Sequence, residues 1–174
     1  YHRWIGGTAV TYQELTEAIA AKIAALWPER MLYRDFCPVD HKRPSSFLYV
    51  TDASYMDGNI ALVEWNYESE LTLYAATDHY AAESTQALRL DQLAVLNAFA
   101  VPALKVGDRT VAVQAAAEAP GPGEAYVRFS AQWVDSRPGY VDENTAPESG
   151  GGVPRMENYT LKVGGTPPAD KGKD

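Results

Sequence analysis

The chain has 174 residues, 46% of them apolar and 22% charged, enough for one domain with a real core plus tails and unlike a disordered or fibrous sequence. Its net charge of −8 argues against tight binding to phosphate backbones, which needs clustered Lys and Arg, though not against nucleic acid passing by. A single cysteine, Cys37, excludes an internal disulfide, and no apolar run approaches the roughly 20 residues that span a bilayer.

The opening YHRWIGGTAV lacks the continuous apolar stretch of a secretory signal, so a soluble, intracellular location during assembly is expected. Residues 1–10 read as an arm carrying Trp4 and Ile5 ahead of Gly6 and Gly7. Thr11 and Glu14 then have capping-box spacing, which starts helix one. Leu15, Ile19, Ile23, Leu26 and Trp27 recur at three- and four-residue steps as its apolar stripe, and Pro28 ends it.

Residues 31–36, MLYRDF, read as a first strand, and Pro38 and Pro44 bracket a polar loop. SFLYVT (46–51) is a β-branched and aromatic strand, after which Asp57-Gly58 supplies a turn into residues 60–75. In that stretch Val63, Trp65, Tyr67, Leu71 and Leu73 share one parity, and Glu64, Asn66, Glu68, Glu70 and Thr72 the other. A period of two makes it a strand with a dry and a wet face, about 40 Å long at roughly 3.3 Å per residue. Such length predicts a strand that projects beyond its sheet and asks for a further partner, such as a second subunit. The three strands together imply an antiparallel meander.

From Thr77 or Asp78 to Phe99 the spacing turns helical, with Leu88, Leu93, Val95, Leu96 and Phe99 as its apolar positions and Pro102 beyond its end. A hairpin follows, residues 104–106 and 110–116 around Gly107-Asp108. After the turn Pro120-Gly121-Pro122-Gly123, AYVRFSAQWV (125–134) alternates again. Its dry parity is Val127, Phe129, Ala131 and Trp133. The elements imply an α+β fold: a mixed, mainly antiparallel sheet of about five strands with two helices packed on one face, plus extended N- and C-terminal arms. The single domain is expected over residues 11–135, between the arm 1–10 and an extended arm 136–174. The latter has linker composition but holds MENYTLKV (156–163), a short strand suited to a neighbouring sheet edge.

Candidate chemistry is sparse. Cys37, Asp40 and His41 lie close in sequence, but two further ligands for zinc are not evident; His2 and His79 fall in the arm and at the second helix's start. Cys37 lacks the local signature of a thiol nucleophile. Glu64, Glu68 and Glu70 share a strand face, yet a wet face does not raise a carboxyl pKa as acid–base work requires. No phosphate-cradling glycine motif is present, and Asn158-Tyr159-Thr160 reads as a chance glycosylation sequon. No catalytic residue, cofactor or metal is therefore assigned, and the chain is not expected to be an enzyme.

The order of elements is more informative. A capped helix ending at LWP, a short strand, an aromatic strand, the long strand ending LTLYAATD, a second helix, the VGDR turn and AYVRFSAQWV resemble the phage tail terminator family. The likeness is to small terminators of contractile-type tails. It covers roughly residues 11–163; the N-terminal arm and the Gly-rich stretch 149–152 depart from the compact family pattern. It implies a ring, commonly a hexamer, that caps the tail tube, stops its polymerisation and offers a face for head attachment. The partners it implies are further copies of the chain, the tail tube protein, and sheath and head–tail connector proteins. DNA only transits, and no membrane is involved. The implied location is the head-proximal end of the tail in the virion, after assembly in the host cytoplasm.

Under that resemblance Glu64, Glu68 and Glu70 would face the lumen as an acidic sleeve, and Val63, Trp65, Leu71 and Leu73 would form the core of the long strand. Met156, Tyr159, Leu161 and Val163 would make the inter-subunit strand. The alternatives are another head–tail joining protein, a small module that captures a peptide on a strand edge, and an enzyme with a non-local site.

Overall fold

The computed structural model describes residues 9–78 and 82–140, and those residues form an α+β fold. Helix α1 (Tyr12–Leu26) starts at the expected capping box: Thr11 Oγ1 accepts from Glu14 N at 3.2 Å, and Glu14 Oε2 accepts from Thr11 N at 2.9 Å. Strands β1 (Met31–Arg34), β2 (Ser45–Asp57) and β3 (Leu62–Tyr74) follow, then helix α2 (Ala82–Phe99). Short strands β4 (Leu104–Val106), β5 (Arg109–Val111) and β6 (Val113–Ala117) lead to β7 (Glu124–Ser136). The main sheet has five strands in the order β1-β2-β3-β7-β6, and β4 and β5 form a separate two-stranded sheet.

Three sequence-based expectations are corrected. First, β1 and β2 run parallel, so there is no antiparallel meander of three. Asp35, with φ of 60°, turns the chain off the sheet after β1, and residues 35–44 carry it back so that β2 starts beside Met31. Second, the long strand does not project alone. β2, β3 and β7 have 13 residues each, and β3 lies between the other two, paired on both sides along its length. Third, the segment after Gly107-Asp108 is not one strand. It divides at Ala112 into β5, which pairs with β4, and β6, which pairs with β7.

β2 also continues to Asp57, well past the six residues expected. Its register against β3 shifts by one between Val50 and Asp52, so Thr51 is an extra residue. A bulge of this kind reverses the in–out parity of everything beyond it. Asp52 therefore stands opposite Glu68, and Tyr55 opposite Trp65. At the hairpin end Asn59 replaces the expected Asp-Gly chemistry: its Oδ1 accepts from Ala61 N and Leu62 N at 2.8 and 2.9 Å.

Both helices lie on one face of the sheet. Leu15, Ile19 and Ile23 of α1 and Leu88, Val95 and Phe99 of α2 are buried with Leu48, Leu71, Leu73, Val127 and Phe129. Gln92 occupies the buried stripe of α2 between Leu88 and Val95. Its Nε2 donates to Glu118 O and Tyr126 O at 2.7 and 2.9 Å, so the amide is satisfied where sequence periodicity calls for an apolar residue. Gly123, with φ of 69°, turns the chain into β7; a Cβ there would stand 2.8 Å from Asp78 Cα.

The first compact unit ends at Tyr140, past the boundary expected at Asp135. Arg137 accounts for the extension: its N donates to Ala61 O at 2.7 Å and its guanidinium pairs with Asp57 at 2.7 Å. Residues 1–8 and 141–174, and with them Met156, Tyr159, Leu161 and Val163, lie outside the described residues. No helix among the described residues is long and apolar enough to cross a membrane.

Candidate functional site

The face of the sheet turned away from the helices gathers the carboxylates singled out in the sequence. Glu64, Glu68 and Glu70 alternate along β3 on that face, but their surroundings differ. Glu68 is exposed, with Asp52 opposite on β2 and Ser130 opposite on β7. Together with Ser54, Asn66 and Gln114 these residues line a polar hollow of about 680 Å³. Glu70 is committed: it accepts from Tyr49 Oη at 2.5 Å and faces Arg128 across β7, whose guanidinium pairs with Glu118 at 2.8 Å. Glu64 is half-buried between Met56 and Val134. The acidic focus is thus Glu68 with Asp52, and the bulge at Thr51 that brings Asp52 there has no signal in the residue pattern.

Two tyrosines mark this face as a set of neutral donors. Burial, and then the hydrogen bond to Glu70, push the Tyr49 phenol up to about 12. The hydrogen bond from Tyr126 Oη to Glu124 at 2.6 Å, and then burial, push Tyr126 up to about 12 as well. Both stay protonated at neutral pH and hold the carboxylates beside them, the reverse of what an activated nucleophile needs.

The opposite face contains the residues expected as the core of the long strand. Val63, Leu71 and Leu73 are buried, whereas Trp65 is half-buried in an aromatic row: Tyr55 at 5.4 Å and Trp133 at 6.3 Å between ring centroids. Tyr67 is fully buried under α1, where its hydroxyl meets Thr16 Oγ1 at 2.8 Å. Thr16 spends its own proton on Tyr12 O at 2.7 Å, so Tyr67 is the donor. Near the end of β7 the buried Asp135 accepts from Val10 N at 2.8 Å and pairs with Arg109 at 2.7 Å. This carboxylate fastens the chain entering α1 and the β4–β5 sheet to the main sheet.

Cys37 and His41 belong to the loop between β1 and β2. The Cys37 thiol and His41 Nδ1 both face Pro38 O, at 3.8 and 3.1 Å, and the imidazole lies tilted against the Tyr74 ring with centroids 4.0 Å apart. Burial, and then contact with Cys37, raise the Tyr74 phenol. Arg43 covers the same ring and points at the carbonyls of Ala75 and Gly123. The loop thereby closes over the proximal end of the sheet. Among the described residues no three His, Cys, Asp or Glu side chains converge as a metal site requires.

No family model matches the chain, and no curated protein does. Among solved structures, one chain titled only by a sequence identifier is similar at 11% identity and a TM-score of 0.42, over 78% of this chain and 100% of its own.

Proposed function

We propose that the chain is a phage tail terminator: one subunit of a ring that caps the tail tube, halts its polymerisation and presents a face to the neck of the head. One observation carries the reading. β2 runs on through its bulge to Asp57, every one of residues 51–57 is exposed, and no described strand pairs with its outer side there. A strand so extended costs stability in isolation and gains it when another subunit covers it. The order of elements that resembles the terminator family supports the same conclusion.

In such a ring one surface meets a different surface on the next copy, and rotation closes the circle. Its partners are further copies, the tail tube protein, and the sheath and connector proteins on either side. The reading gives the chain no catalytic role and places it at the head-proximal end of the tail, with DNA only passing through. The carboxylate face turns to the lumen. There Glu68 and Asp52, repeated around the ring, repel the DNA backbone and let it slide; Glu70, held by Tyr49, contributes less.

Light scattering with negative-stain imaging tests the ring. Closed rings, alone or on tubes, and a copy number of one ring per tail are expected; a stable monomer at high concentration that is also absent from purified tails ends the proposal. A small module that captures a peptide on a strand edge is the second reading, favoured by the same unpaired side of β2. A monomer that binds an extended peptide would decide for it.

A further inference from the structure

β1 pairs with only the first four residues of β2: Arg34 stands beside Leu48, and then Asp35 turns away. From there to Asp57 the outer side of β2 carries no strand among the described residues. Which of its groups are open follows from the hairpin. Gly58 N donates to Leu62 O at 3.1 Å, and antiparallel ladders alternate, so Ser54 and Met56 bond inward to β3. The N–H and C=O groups of Ala53, Tyr55 and Asp57 point outward. Along the helix side of this edge runs a groove of about 1360 Å³, with Val50 and Ala53 on its floor and the start of α1 as one wall. Its charged lining is four carboxylates, Glu14, Glu17, Asp35 and Asp52, against one guanidinium. That guanidinium, Arg34, is engaged by Glu17 at 3.2 and 2.9 Å, so the groove keeps an excess of negative charge.

We infer that this edge receives a basic extended segment of another protein, added to β2 as a strand with Lys or Arg directed into the groove. The open backbone groups set the mode of binding, and the charge selects the occupant. A Lys or Arg side chain suits both parts of the groove. Its aliphatic stem lies on Val50 and Ala53 while its cation reaches Asp35 and Asp52, with the Tyr12 ring beside it. A second copy of β2 does not fit, because it would set its own Asp52 against these acids on a chain whose net charge is −8. The acids thus guard the edge against its own kind and admit the opposite charge. A nucleic-acid strand is refused on the same ground. The inference rests on neither reading of the function: in a ring the subunit covering distal β2 becomes a neighbouring protein, and in a peptide-binding module the peptide becomes a basic one.

A peptide of alternating Lys and Thr, titrated against the full chain at low salt and followed by hydrogen exchange, tests this. One control carries Glu in place of every Lys. A second is methylated on the backbone nitrogens of its inner residues, which keeps the charge and removes the ladder donors. At saturating lysine peptide the amides of Ala53, Tyr55 and Asp57 should slow by about tenfold or more, with Leu71 and Phe129 unchanged. Asp35→Asn combined with Asp52→Asn keeps the shape of both side chains and should weaken binding by about three- to tenfold; exchange at Leu71 and Phe129 reports that the variant is folded. Equal protection by the Glu peptide, equal affinity of the methylated peptide, unchanged affinity of the folded double variant, or no protection by the lysine peptide each overturns the inference. Protection that appears as copies associate with no peptide present assigns the edge to a second copy, which overturns the inference and spares the ring. Protection by the lysine peptide in a chain that never forms rings supports the inference and counts against the ring.

Discussion

β2 and β7 flank the same central strand, have the same 13 residues and share its full ladder, yet they meet different fates. Along β7 alternate residues are buried from Ala125 to Asp135, whereas the last seven residues of β2 are exposed without exception. Hydrogen bonding does not separate them. The difference is the second layer: α2, the β4–β5 sheet and the chain at Val10 cover β7, and nothing described covers the outer part of β2. Pairing makes a strand, and burial of a face makes it stable; β7 has both and distal β2 has only the first.

That contrast predicts a gradient of mutational cost. Phe129→Ala, in full contact with Phe99 beneath α2, should lose about 3 to 5 kcal/mol, measured by chemical denaturation, while Tyr55→Ala on distal β2 should lose less than about 1.5 kcal/mol. Equal losses would mean that distal β2 is covered after all. Asp135→Ala cuts the tie between β7, Val10 and Arg109 and should cost about 2 to 3 kcal/mol. Gly123→Ala should cost about 1 to 3 kcal/mol, from the left-handed φ and the close approach of Asp78. At the small end, Glu68→Lys should change stability by no more than about 0.5 kcal/mol and leave ring assembly intact. DNA passage should slow in this variant, and unchanged ejection kinetics would remove the sleeve.

A pH series sharpens the comparison from another side. Tyr49 on β2 and Tyr126 on β7 both have folded-state values of about 12, above the ordinary phenol. Their stabilising share is complete below about pH 10 and is lost as pH rises towards 12, because only the unfolded chain ionises readily in that window. Tyr49→Phe and Tyr126→Phe should each flatten the alkaline fall in melting temperature by a similar amount. A large inequality would show that the proximal part of β2 is no better anchored than its distal part.

Most of the fold was legible because it rests on local signals. Thr11 with Glu14 marked the start of α1, and alternation marked β7 with its buried parity correct from Val127 to Trp133. What was hidden depended on tertiary contacts. The direction of β1 is set by a ten-residue loop, residues 35–44, whose path has no periodicity to read. Gln92 looks polar in sequence and is buried because two carbonyls at the β6–β7 end need its amide. At the candidate surface, Glu64, Glu68 and Glu70 were correctly grouped on one face, but their inequality was not visible. Tyr49 and Asp52 come from another strand, on either side of the bulge that determines how they face β3.

The extra residue at Thr51 gives β2 one residue of slack. Deleting it would join Val50 directly to Asp52 and leave every later side chain facing as before. A shortened β2 would thus keep both its acidic side and its aromatic side, so tolerance of length change is built into the part of the chain that reaches furthest from the core.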